Sequence, residues 1–96
     1  YGRMNFGAKE RARIFWHPRV RAMPAPLRAA YVALLEAAPP SGELTLDACA
    51  SVFGVLAASP ADTFTAMDRV GLSLPHTNDA ILVVHPDIAD GAEVFA

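Results

Sequence analysis

Two proline clusters bracket the most regular stretch of this 96-residue chain and confine a helix between them. Pro24-Ala25-Pro26 can open a helix, because proline tolerates first-turn positions. Pro39-Pro40 must close it, because proline lacks the amide hydrogen and clashes with the preceding turn. Between them Leu27, Ala30, Tyr31, Leu34, Leu35 and Ala38 fall at the spacing of one buried helical stripe. The other side carries Ala29, Val32, Ala33 and Ala37, with only Arg28 and Glu36 for charge. That side is too apolar for a solvent-facing helix, so it is read as a second packing surface for self-association or a protein partner.

Ser41-Gly42 is a turn, and Glu43-Leu44-Thr45 can supply a short strand. Thr45 then caps a helix with Asp47 in its first turn, a buried stripe of Leu46, Cys49, Ala50 and Phe53, and Gly54 at its end. Ser59-Pro60-Ala61-Asp62 is the clearest helix start in the chain, with a serine cap, proline at the first helical position and an acid where a capping box has one. This helix is expected to bury Ala61, Phe64, Met67 and Val70, to point Asp62, Thr63, Thr65, Asp68 and Arg69 outward, and to stop at Gly71. Leu72-Ser73-Leu74 and Ala80-Ile81-Leu82-Val83-Val84 then read as a hairpin around the five-residue tip Pro75 to Asp79.

Ninety-six residues support one modest core, which sets the expected organisation as one domain over 13–86 between a basic arm, 1–12, and an acidic tail, 87–96. Arg13-Ile14-Phe15-Trp16-His17 is read as a β-prone run ended by Pro18, with Phe15 and Trp16 as core anchors beside Val20 and Met23. The expected core comprises Phe15, Trp16, Tyr31, Leu34, Leu35, Phe53, Phe64, Met67, Leu82 and Val84.

Charge splits the chain. Residues 1–28 hold seven cations against Glu10, a net +6, whereas residues 29–96 hold Arg69 against nine carboxylates, a net −8. Lys9, Arg11, Arg13, Arg19, Arg21 and Arg69 are therefore the candidate nucleic-acid contacts, with Tyr1, Phe6, Phe15 and Trp16 interleaved as surfaces on which bases could stack. The competing reading is a solvated tail that balances an acidic body.

Several functions lack their residues. His17, His76, His85 and Cys49 show no metal-ligand spacing, so no metal is expected. The six glycines stand singly at turns and make no phosphate loop, no nucleophile has a local base, and no cofactor, small-molecule substrate or enzymatic activity is expected. The single cysteine fits a reducing compartment. Hydrophobic residues make up 53% of the chain, yet no apolar run reaches membrane-spanning length, and the basic N-terminal stretch lacks a signal peptide's apolar segment. The expectation is a cytoplasmic protein without a membrane partner. The seven arginines to one lysine and the abundant alanine fit a GC-rich bacterial or phage genome.

Arg13-Ile14-Phe15-Trp16-His17-Pro18-Arg19-Val20-Arg21, followed by Leu27-Arg28-Ala29-Ala30-Tyr31-Val32-Ala33-Leu34-Leu35, resembles the opening of winged-helix domains in phage replication proteins. Those domains resemble in turn the N-terminal module of bacterial primosomal replication organisers. The downstream order of strand, two capped helices and hairpin is similar as well, so the resemblance spans roughly 13–86. It implies an α/β, mainly α, winged helix-turn-helix of three helices and a C-terminal β-hairpin wing. The function implied is DNA binding in replication or transcription control, self-assembly into a homo-oligomer, or contact with a host or replisome protein. The chain departs from such domains at the usual reading surface, where Asp62 and Asp68 accompany Arg69 alone. A second reading follows, a protein-interaction module using Asp62 and Asp68 of the third helix, the wing, and the Ala29, Val32 and Ala33 side.

Overall fold

The computed structural model describes residues 7–56 and 58–95, and they form a small α/β domain, mostly helical, around a three-stranded antiparallel sheet. In chain order the elements are α1 (Ala8–Phe15), α2 (Pro18–Arg21), α3 (Ala25–Ala37), β1 (Glu43–Thr45), α4 (Leu46–Phe53), α5 (Pro60–Arg69), β2 (Ser73–Thr77), β3 (Ala80–Val83) and α6 (Pro86–Phe95). The strand order is β1-β3-β2, with Leu44 opposite Ile81 and Leu74 opposite Leu82.

Three of these helices were not expected. Ala8 to Arg13 are all strong helix formers, and this propensity carries α1 through Ile14 and Phe15 in place of the β-prone run. Ala8 to Ala12 therefore belong to a helix and not to an arm, with Gly7 at its N-cap; residues 1–6 of the expected arm lie outside the described residues. At α2, the His17 side chain accepts the Arg19 amide and Pro18 occupies the first turn. The expected tail is α6, which begins the same way: Pro86 follows His85, whose Nδ1 accepts the Asp87 amide at 3.1 Å. A His-Pro pair thus starts both helices.

The three helices read from periodicity form where expected. Thr45 Oγ1 accepts the Ala48 amide and Ser59 Oγ accepts the Asp62 amide, capping α4 and α5. Gly71 (φ +75°) ends α5 in the left-handed region. Gly42 (φ +83°) turns the chain where its carbonyl accepts the Val83 amide at 2.8 Å and where a Cβ would lie 2.6 Å from the Val83 oxygen. Only glycine fits there. The hairpin is longer than expected: β2 runs to Thr77 and the tip is Asn78-Asp79 instead of five residues, with a bulge between Pro75 and Thr77. Pro75 is tolerated because β2 is an edge strand.

The core centres on α3. Tyr31, Leu34, Leu35, Phe53 and Met67 are buried as expected, together with Val20 and Met23, while Phe15, Phe64 and Val84 pack partly buried against them. Five core assignments need correction. Trp16 is 60% exposed, because the helical turn of α1 buries Ile14 in its place. Leu82 is half-buried on the face it shares with Leu74, away from the core residues Leu44 and Val83. Leu46, Ala50 and Ala61 are exposed, since α4 and α5 each bury a narrower stripe than expected.

Candidate functional site

Most of the candidate cations lie on α1 and α2, and three are engaged by carboxylates. Arg11 Nε and Nη2 donate to the two oxygens of Glu36 on α3 at 2.7 and 2.9 Å. Arg13 donates to Glu10 one turn earlier and reaches both oxygens of Asp87 on α6, at 3.0 and 3.4 Å. Arg19 is the most enclosed of the three. Its Nε donates to Asp90 at 3.1 Å, and its Nη1 donates to the Val70 carbonyl at 2.7 Å, capping the C-terminal end of α5. Lys9, Arg21 and Arg69 are exposed and form no ion pair with a described residue.

Arg28 behaves differently from these. Its guanidinium lies over the rings of Phe15 and Trp16, 4.9 and 5.5 Å from their centroids, and its Nε is buried without a hydrogen-bond partner among the described residues. The two aromatic rings meet edge to face at 5.3 Å. Beside them a groove of about 300 Å³ is lined by Ala8, Arg11, Ala12, Phe15 and Trp16. An exposed tryptophan thus has a cation stacked on it, and Lys9 on α1 and Arg21 on α2 are exposed cations of the same two neighbouring helices.

The two His-Pro caps meet across the junction of α1, α2 and α6. His17 Nδ1 accepts the Arg19 amide, so Nε2 carries the proton of the neutral ring and donates to Asp90 at 2.8 Å. His85 Nδ1 accepts the Asp87 amide, and its Nε2 lies 3.7 Å from Glu10. Arg13 hydrogen bonds hold the Glu10 and Asp87 carboxyls below their usual range, and hydrogen bonds from Arg19 and then His17 do the same for Asp90. Ligand atoms of His17, Asp87 and Asp90 lie within 4.8 Å of one another, a clustering that linear spacing did not reveal. Arg13 and Arg19 already supply the positive charge there.

Asp62, Thr65, Asp68 and Arg69 do point outward from α5, but Thr63 does not. It is fully buried, and its hydroxyl donates to the Ser59 carbonyl at 2.8 Å, which fixes the first turn. The tip residues Asn78 and Asp79 are exposed, and the His76 side chain lies outside the described residues. On α3, Ala29 is exposed, Ala33 is half-buried and Val32 is buried. The expected second surface is largely covered because α1, α2, α4 and α5 all pack on α3.

A second groove, of about 420 Å³, opens between the Gly42 turn, Leu74 and Leu82 of the sheet, and Ile88 and Ala89 of α6. Leu74 and Ile88 are exposed at 52% and 65%. Cys49 is buried, and burial pushes its thiol up, away from the thiolate a nucleophile requires. No helix of the described residues is long and apolar enough to cross a membrane. No protein family, curated protein or solved structure was found to match the chain.

Proposed function

We propose that this chain is a winged helix that acts by binding, and that it associates with nucleic acid through the end formed by α1, α2 and the start of α3. The observation that carries the reading is Trp16, 60% exposed with the Arg28 guanidinium against its ring. An exposed indole offers a face on which a base can stack, and Lys9, Arg21 and Arg28 supply cations for the flanking phosphates. The order α3, β1, α4, α5, β2, β3, with β3 central in the sheet, supports the winged-helix part of the reading. The role implied by the resemblance is replication or transcription control in a phage or bacterium.

On this reading α5 is not the helix that enters a groove. Its exposed side pairs Asp62 and Asp68 with Arg69 alone, and carboxylates against phosphates oppose binding. That same acidic side favours a second reading, a protein-interaction module whose partner presents a basic surface. A titration of single-stranded and duplex 20-mers across a salt series, with light scattering in parallel, separates the two. Nucleic-acid association gives an affinity whose logarithm falls linearly with log salt, weakened by Trp16→Ala and by the Lys9→Ala/Arg21→Ala pair. Loss of one stacked base costs about 1–3 kcal/mol. Salt-insensitive self-association without oligonucleotide binding would replace this reading with the second.

A further inference from the structure

We propose that α6 is a built-in mask, an acidic helix whose Asp87 and Asp90 occupy Arg13 and Arg19 in the place of nucleic-acid phosphates. The inference rests on the nucleic-acid reading above and extends the binding end from Lys9, Arg21 and Arg28 to two further cations.

The contact has the form of a substituted ligand. Arg13 presents its two terminal nitrogens to both oxygens of Asp87, the fork that a guanidinium also offers to phosphate. Arg19 turns Nε to Asp90 while Nη1 stays on the Val70 carbonyl, so exchanging the carboxylate for a phosphate leaves the α5 cap in place. Asp87 and Asp90 are one turn apart on α6 and face the same side. Glu10, His17 and His85 complete the cluster, each within reach of a group on the other side of the junction.

Pro86 and Ala89 are buried, but Ile88, between the two aspartates, is 65% exposed beside the sheet groove. The carboxylates of Asp87 and Asp90 are each at least half exposed, and ion pairs that water reaches yield to salt and to competing anions. A polyanion therefore competes with α6 for the same guanidinium groups. Displacement adds Arg13 and Arg19 to the binding end.

The test compares Asp87→Asn/Asp90→Asn with Asp62→Asn/Asp68→Asn, which changes net charge equally but lies outside the cluster. Binding of a single-stranded 20-mer is read over a salt series. Unmasking raises affinity about tenfold at low salt in the first variant and steepens the salt slope by about 1.4, two phosphate contacts at about 0.7 each. Adding Arg13→Gln/Arg19→Gln abolishes that gain. Equal gains in both aspartate pairs, or a gain that survives loss of the two arginines, would overturn the mask. If Trp16→Ala weakens binding while Asp87→Asn/Asp90→Asn changes nothing, the nucleic-acid reading stands and the mask falls. If none of the chains binds the oligonucleotide, both fall together. Amide exchange measured without nucleic acid supplies a second readout: the mask requires faster exchange in α6 of the Asp87→Asn/Asp90→Asn chain with α3 unchanged, and unaltered α6 exchange overturns it.

Discussion

The Tyr31 hydroxyl donates to the Val84 carbonyl and ties the middle of α3 to the point where β3 gives way to α6. Tyr31 is fully buried, and burial pushes its phenol far above the ordinary value, so the group remains a neutral donor throughout the working pH range. Tyr31→Phe keeps the ring but leaves the carbonyl without this donor. We expect a loss of about 1–2 kcal/mol in chemical denaturation. An unchanged unfolding midpoint would show that water replaces the hydroxyl at no cost.

Leu34 is fully buried on the stripe that the proline brackets define, and α4 and α5 both pack on that helix. Leu34→Ala should cost about 2–5 kcal/mol, the range for a buried leucine whose surroundings relax only in part. A loss below about 1 kcal/mol would mean that the helix can shift to refill the space.

Gly42→Ala tests the turn that seats β1 beside β3. Both a left-handed backbone and a main-chain oxygen 2.6 Å from the new Cβ oppose the methyl group. Strained positions of this kind cost about 1–3 kcal/mol even without a clash. Gly54→Ala, at a right-handed position with only ordinary contacts, should be nearly neutral, and similar losses at both sites would refute this argument.

What could be read in advance follows from the range of each signal. Caps are local, so Thr45 and Ser59 announced α4 and α5 correctly, and the Leu34-Leu35 stripe located the core. Trp16 misled because an aromatic run has β propensity, whereas its structure was decided by the helix formers preceding it from Ala8. Periodicity sets Val32 on an open face, whereas it is buried, because periodicity reports one helix at a time and says nothing about how many neighbours surround it. The charge split was legible, but its pairing was not: Arg13 meets Asp87 across 74 residues. One local signal did exist. The repeated His-Pro, at His17-Pro18 and His85-Pro86, marks two helix starts, and the aspartates at 87 and 90 share one side of the second.

The pH response of the α6 junction follows from its carboxylates. Glu10, Asp87 and Asp90 have folded values lowered from 4.5, 3.8 and 3.8. Groups of this kind stabilise fully above the unfolded value, and their contribution is lost as pH falls through the folded one. The thermal midpoint of the native chain should therefore exceed that of Asp87→Asn/Asp90→Asn at about pH 6, and the gap should narrow steadily as the solution is acidified below the ordinary carboxylate range. A gap that persists unchanged in acid would mean that packing, not charge, sets the difference.

Asp62 and Asp68 decide which side of the domain does the binding. Both are exposed on α5, and neither forms an ion pair with a described cation, so replacing them with asparagine leaves the surrounding bonds intact apart from the loss of charge. If nucleic acid lies against α1, α2 and Trp16, these carboxylates act only through the long-range field, which salt screens over about 8 Å at physiological ionic strength. The double variant should then gain about two- to threefold in oligonucleotide affinity at low salt and lose most of that gain at 0.15 M. A helix seated in a major groove would respond otherwise, with a large gain that persists at physiological salt, because each carboxylate would stand directly against phosphate. A basic protein partner on α5 would give the opposite sign: slower association and a weaker complex. The small, salt-erased gain is the outcome we expect, and a persistent large one would move the nucleic acid to α5 and leave Trp16 without a role in binding.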